Sequence, residues 1–405
     1  MLKHFLTFFL LIIALSACQP AAAQLESEFA ASPPPAESEV QTPDKAMHFQ
    51  AASTQAFQPA LVTPLQHSPT PTQTRELTPS PTIITIPKTA TPAQNPVTRL
   101  LFTGVIVPAR CVQAHLDEIG NPDYPYEEVQ HILEDADISV GSFNATMSDQ
   151  VEHTGCVWTY QLVGSPENAD ALARTGFDLM SAATNHIKDC GLMRSWCDET
   201  FFETLGHFQR VGIQTVGAGA NLSEALEPVV ITVNGIRFGF VSLGDSKLSE
   251  TVFATDDNPG IARLTEENMR QALDKARQIS DVVIALPHWG PEDELLPNWI
   301  QRGQARYIVN AGADLVVGNH THVIQAYQTI DEIPVFYGLG NFVFDQGLRD
   351  HRQGVILIVS FEGTRYLGYE MIPTHVDPDG RVHLADPEES AEILERLQAA
   401  SGQLR

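Results

Sequence analysis

His320 and His322 stand one residue apart in the stretch 312–325, GADLVVGNHTHVIQ. Leu315, Val316 and Val317 form a short apolar run ending at Gly318, which predicts a buried strand emptying into a loop. On extended backbone, side chains two residues apart share a face, so both imidazoles are expected to reach one point. Neutral imidazole is the commonest side-chain ligand of transition metals, and an H-x-H pair at a strand exit suits that use. Two further polar clusters follow predicted strands, Asn185-His186 and His288-Trp289. In α/β sheets ligands gather beyond the carboxyl ends of strands. A lone loop histidine is more often an ordinary hydrogen-bonding residue; four at strand exits favour a joint site.

The elements that must position these residues alternate between strand and helix. Leu100–Phe102 reads as a strand turning at Gly104, and Tyr126–Asp135 as a helix before a strand at Ile138–Phe143. Helix at Ala169–Gly176 precedes strand at Phe177–Ala182, which opens at Asn185-His186. Phe201–Val211 is a predicted helix. Val229–Val233 and Arg237–Leu243 flank Asn234-Gly235, a strong hairpin signal. Thr265 caps a helix to Ser280, and Asp281–Leu286 is a buried strand opening at Pro287-His288. Helix Asn298–Ala311 leads into the histidine strand. Val335–Tyr337 and Val355–Phe361 are strands with a tight turn, Gly338–Asn341, between them; Glu388–Ala399 is a terminal helix. The alternation implies an α/β fold with a largely parallel sheet core.

Composition bounds the partners. Fifty acidic and 24 basic residues give a formal charge of −26, which argues against nucleic acid or an anionic membrane as a partner through a basic face. Lys3 and His4 precede an apolar run, Phe5–Leu15, too short to span a bilayer and typical of a signal peptide. It closes with Leu15-Ser16-Ala17-Cys18, which resembles a bacterial lipobox, so Cys18 is the expected lipidation site and 1–17 the removed signal. Residues 18–97 are rich in Pro, Ala, Thr and Ser without apolar periodicity and read as a disordered tether, spanning on the order of 50 Å. The localisation this implies is the cell envelope, extracytoplasmic and lipid-anchored to a membrane. A folded domain is expected over 98–386, with a C-terminal helix and tail at 387–405. Cys111, Cys156, Cys190 and Cys197 remain, and four cysteines allow three pairings; Cys190–Cys197 is the local option, with Cys111–Cys156 its complement.

The ordered motifs FDLMSAATNHIKDCG, PHWGPE, GADLVVGNHTHVIQ and YGLGNFVFDQ are similar to those of the CapA-type proteins of poly-γ-glutamate capsule synthesis. That family's pattern runs GD, NLE, NNH, HWG, GHHPH and LGNFVF, and the resemblance covers residues 99 to 375. It implies a metallophosphatase-like β-sandwich flanked by helices in α-β-β-α layers. Carried onto this chain, it makes Asn185, His288, His320 and His322 metal ligands and His186 a general acid. Arg110, Asn144 and Asn341 are placed as residues lining the site; Trp289 either stacks on substrate there or packs, and packing is the favoured reading. Val105 stands where the family has its first Asp, Thr146 where it has the Glu of NLE, and Asn319 and Thr321 replace a His and the Pro of GHHPH. With those carboxylates missing, the resemblance implies one divalent transition metal (Mn, Zn or Fe), or none, rather than a pair. Two readings of function follow. One is a lipid-anchored protein that makes, transfers or anchors an anionic surface polymer by metal-assisted hydrolysis or transfer. The other is a catalytically inactive relative that binds the polymer or a partner in the synthesis machinery.

Overall fold

The computed structural model describes residues 96–192, 197–245 and 249–404. The expected signal peptide, Cys18 and nearly all of the tether lie outside the described residues.

Two sheets pack face to face. In the first, Val97–Ile106, Ile138–Phe143, Leu179–Ser181 and Gln214–Val216 run parallel in that order. On the other side of Val97–Ile106 the sheet continues antiparallel through Gln353–Glu362, Arg365–Val376 and Val382–Leu384. The second sheet has a parallel centre of Ile236–Gly244, Val282–His288, Leu315–Val317 and Ile333–Phe336. Antiparallel Val229–Val233 and Tyr327–Ile330 close its edges.

The strands read as continuous apolar runs because both of their faces are covered. Leu100, Phe102, Val140 and Leu179 of the first sheet meet Phe238, Phe240, Ile284 and Leu315 of the second in the layer between the sheets. The alternate residues point outward: Leu101 and Met180 pack against Leu172, Phe201 and Phe208 of the helices Glu167–Thr175 and Asp198–Val211. Val283 and Val316 pack against Leu273 and Ile308 of the helices Glu266–Ile279 and Trp299–Asn310. The result is the expected α-β-β-α sandwich. Each fully buried phenylalanine in these layers contributes roughly 1.5–3 kcal/mol. The terminal helix Pro387–Gly402 joins them, with Ile393 and Leu397 reaching the layer between the sheets. Among the described residues no helix is long and apolar enough to cross a membrane.

Local signals set several boundaries. Asn234 (φ 54°) and Gly235 (φ 79°) make the hairpin turn. The Thr265 side chain accepts from Asn268 N, and Asn298 with Gln301 forms a reciprocal capping box at the head of Trp299–Asn310.

Four expectations are corrected. The first strand does not turn at Gly104 but runs on to Ile106, with a register shift between Phe102 and Val105. Gly104 permits this because a Cβ there would collide with the Gly340 carbonyl. The helix expected at 126–135 is only Gln130–Glu134. Gly338–Asn341 is not a tight turn between neighbours: Ile333–Phe336 lies in the second sheet, whereas Asn341–Val343 pairs with Val97–Ile106 in the first. The segment crosses the sandwich, and Gly340 O accepts from Val105 N at 3.0 Å as it arrives. Finally, Val282–His288 keeps its ladder through His288 rather than opening at Pro287.

Candidate functional site

Four strand exits converge at one end of the sandwich. Strand Leu179–Ser181 leads to the turn holding Asn185 and His186, and strand Val282–His288 ends on His288. Leu315–Val317 is extended by a bridge from Asn319 to His288, after which the chain bends through His320 and His322. Asn144 follows strand Ile138–Phe143, with its backbone N–H bonded to Ile106 O.

Residues 103 apart in sequence meet directly: His288 Nε2 lies 2.8 Å from Asn185 Oδ1. His320 Nδ1 lies 3.1 Å from the same His288 nitrogen. The ring centroids of His288 and His320 are 4.6 Å apart, and those of His320 and His322 are 6.2 Å apart. The two loop histidines do not meet by sharing a face of extended backbone. His320 has φ 104° and His322 φ 58°, so a left-handed bend, not strand alternation, turns both rings toward His288.

Two of the rings are held from behind. His322 Nδ1–H donates to Asn341 Oδ1 at 2.8 Å, which leaves Nε2 with its lone pair, and Asn341 Nδ2 is fixed in turn on His351 O. His186 Nδ1–H donates to the wholly buried Asp189 carboxylate at 2.8 Å, and His186 N–H donates to Asn144 Oδ1. Asp189 Oδ2 also accepts from Leu162 N. Burial, followed by the neighbouring His320, His322 and His186, pushes His288 well below its ordinary pKa. Burial also lowers His322, against the opposing pull of its bond to Asn341. Both imidazoles are therefore neutral at neutral pH, the form that ligates metals.

The remaining candidates separate. Arg110 is almost wholly buried in an ion pair with Asp345, donates to Thr159 O and lies between the rings of Trp158 and Phe344. Phe344 in turn faces His322 at 5.4 Å, so Arg110 backs the site with its charge already neutralised. Trp289 does not line the site. Its indole is fully buried, stacks on Tyr337 and donates to Tyr337 O, because strand alternation sends it to the opposite face from His288. The roles of Asp189 and Asp345 escaped sequence reasoning. Asp189 carried one readable signal, a carboxylate three residues after His186 in a turn.

The departures from the family pattern are structural in this chain. Val105 is fully buried in the first strand. Thr146 Oγ lies 3.0 Å from Asp189 O and 3.3 Å from Leu162 O, bracing the turn behind His186. Asn319 Nδ2 donates to Thr103 O, tying the histidine loop to the first sheet.

Asn185, His288 and His320 bring donor atoms to spacings that suit a single shared ion. Ligands about 2.1 Å from a common metal stand about 3.0–3.4 Å from each other, close to the 2.8 and 3.1 Å seen for Asn185, His288 and His320. Buried polar atoms without a protein partner also gather here: Asn144 Nδ2, Asp189 Oδ1, His288 Nδ1 and Asn319 Oδ1. Among the described residues no group of three or more His, Cys, Asp or Glu side chains stands where it could hold a metal ion.

Comparison with known proteins places this geometry. The chain is 31% identical to the PGA biosynthesis protein CapA of Bacillus subtilis over 63% of this chain and 66% of that protein. It is 28% identical to the capsule biosynthesis protein CapA of Bacillus anthracis, covering 63% and 61% respectively. A probable polyglutamine synthesis accessory protein of Mycobacterium tuberculosis is 28% identical over 46% of this chain and 50% of its own. Each match spans less than two thirds of the relative's length. Among solved structures, a putative 5′-nucleotidase from Staphylococcus aureus is 15% identical, covering 75% of this chain and 58% of its own with a TM-score of 0.41, too low to carry an argument about chemistry. The model of the bacterial capsule synthesis protein family PGA_cap matches residues 99–346, which is more than half of the chain, and the chain belongs to that family.

Proposed function

We propose that the protein is exported, held to a membrane through Cys18, and acts in making, transferring or anchoring an anionic surface polymer of the poly-γ-glutamate type. The reaction is hydrolysis or transfer at a phosphoryl or amide centre. The observation that supports it is the meeting of Asn185, His288 and His320 at 2.8 and 3.1 Å, with His322 one ring further along. These residues would hold a divalent transition metal, which would supply Lewis acidity there. His186, oriented by its Nδ1–H bond to Asp189, presents Nε2 for proton transfer to or from the leaving oxygen or nitrogen. Asn144 and Asn341 orient the rings rather than react.

A second reading rests on Val105 and Thr146, whose positions bring no carboxylate charge to the site. On that reading the protein binds the polymer, or a partner in its synthesis, without chemistry.

Metal analysis of the purified full chain separates the two. Stoichiometric metal that disappears in the His288→Ala/His320→Ala variant, together with Mn²⁺-dependent cleavage of a phosphodiester or γ-glutamyl amide, supports the first. Protein without metal that still binds poly-γ-glutamate supports the second.

A further inference from the structure

In a chain of net charge −26, nearly every cation among the described residues is neutralised locally. Among the described residues, all lysines and all arginines but two lie within salt-bridge distance of a carboxylate. The two exceptions, Arg302 and Arg306, are exposed and four residues apart on the helix Trp299–Asn310. Trp299 occupies the same face at i, i+3 and i+7 spacing. Its side chain is 81% exposed, beside Ile300 at 47% and Leu296 at 36%. The helix contains no Asp or Glu, and its opposite face, Gln301, Ala305, Ile308 and Val309, is buried against the second sheet.

An uncompensated arginine pair next to exposed tryptophan and isoleucine matches one chemistry, an anionic headgroup layer over an apolar interior. A soluble polyanion accounts for the arginines but leaves Leu296, Trp299 and Ile300 unexplained. We propose that this face seats the domain on an anionic phospholipid bilayer, with Trp299 and Ile300 in the interface and Arg302 and Arg306 on lipid phosphates. The overall negative charge keeps the contact narrow and salt-sensitive, and the carboxylates of Glu292, Asp293 and Glu294 lie only a few residues ahead of it.

The placement has a functional side. The loop from His288 to Trp299 is stitched to the histidine loop by Asp293 N–H to Thr321 O and by Ala326 N–H to Leu295 O. Seating on Trp299 therefore couples the histidine cleft to a lipid surface, where a lipid-linked substrate would be met.

The test uses full-length protein carrying Cys18→Ser and Ile300→Cys, labelled at position 300 with an environment-sensitive fluorophore. Vesicles of phosphatidylglycerol and phosphatidylcholine are expected to shift its emission to the blue, with quenching by brominated acyl chains. Arg302→Glu/Arg306→Glu is expected to weaken that binding by at least roughly thirtyfold, as is raised salt to a lesser degree. The proposal is overturned if the label stays in water with every vesicle, if the charge reversal changes nothing, or if poly-γ-glutamate and not lipid engages the two arginines. The readout involves no metal. Protein that lacks metal yet docks removes the catalytic reading above and leaves this one standing.

Discussion

Arg110 and Asp345, 235 residues apart, form an ion pair whose side chains are only 3% and 5% exposed. The same carboxylate accepts from Cys111 N at 3.1 Å, at the head of the helix Cys111–Ile119. Removing one partner strands a buried charge, so Asp345→Ala is expected to cost about 3–5 kcal/mol in urea unfolding. The Arg110→Met/Asp345→Leu pair should recover most of that loss; a double variant as unstable as the single one would show that the charges themselves are required.

The buried histidines set the pH dependence of the metal-free protein. His288 and His322 both have folded-state pKa values below the ordinary 6.5, with burial the largest cause in each. Between the folded and unfolded values the unfolded chain binds more protons, so stability rises with pH there and falls on acidification. Thermal unfolding followed from about pH 8 to about pH 5 is expected to show loss beginning near pH 6.5. His288→Asn/His322→Asn should flatten the slope, and an unchanged slope would assign the effect elsewhere.

The two disulfides, Cys111–Cys156 and Cys190–Cys197, close separations of 45 and 7 residues. The chain-entropy relation gives roughly 4 kcal/mol for the longer and roughly 2 kcal/mol for the shorter. Paired Cys→Ala variants should therefore rank in that order in guanidinium midpoints, with the reverse order pointing to native-state effects.

Gly104 faces the Gly340 carbonyl where the chain crosses between sheets. Gly104→Ala must push that crossing segment away, at an expected cost of about 1–3 kcal/mol. Because Asn341 follows Gly340 and holds His322, metal affinity should fall with stability, which titration calorimetry can read.

Much of this architecture was legible in the residues. Asp281–Leu286 and Leu315–Val317 read as strands because burial on both faces demands unbroken apolar runs. The strand Arg365–Val376 escaped because one side is largely exposed and its sequence includes Gly368 and Pro373, both strand-weakening. The histidines were readable as a group, since each follows a strand. The way two of them converge was not, because positive φ at a histidine leaves no periodic trace. Asp345 was visible only as part of a motif; its partner lies at the other end of the domain, and pairing over that separation is decided by the fold.

The left-handed backbone at His320 and His322 has a consequence for anyone improving this protein. A side chain held there typically costs about 1–2 kcal/mol that glycine avoids. Laboratory evolution scored on heat resistance alone would be drawn to these two codons, and its most robust winners would be proteins stripped of their imidazoles.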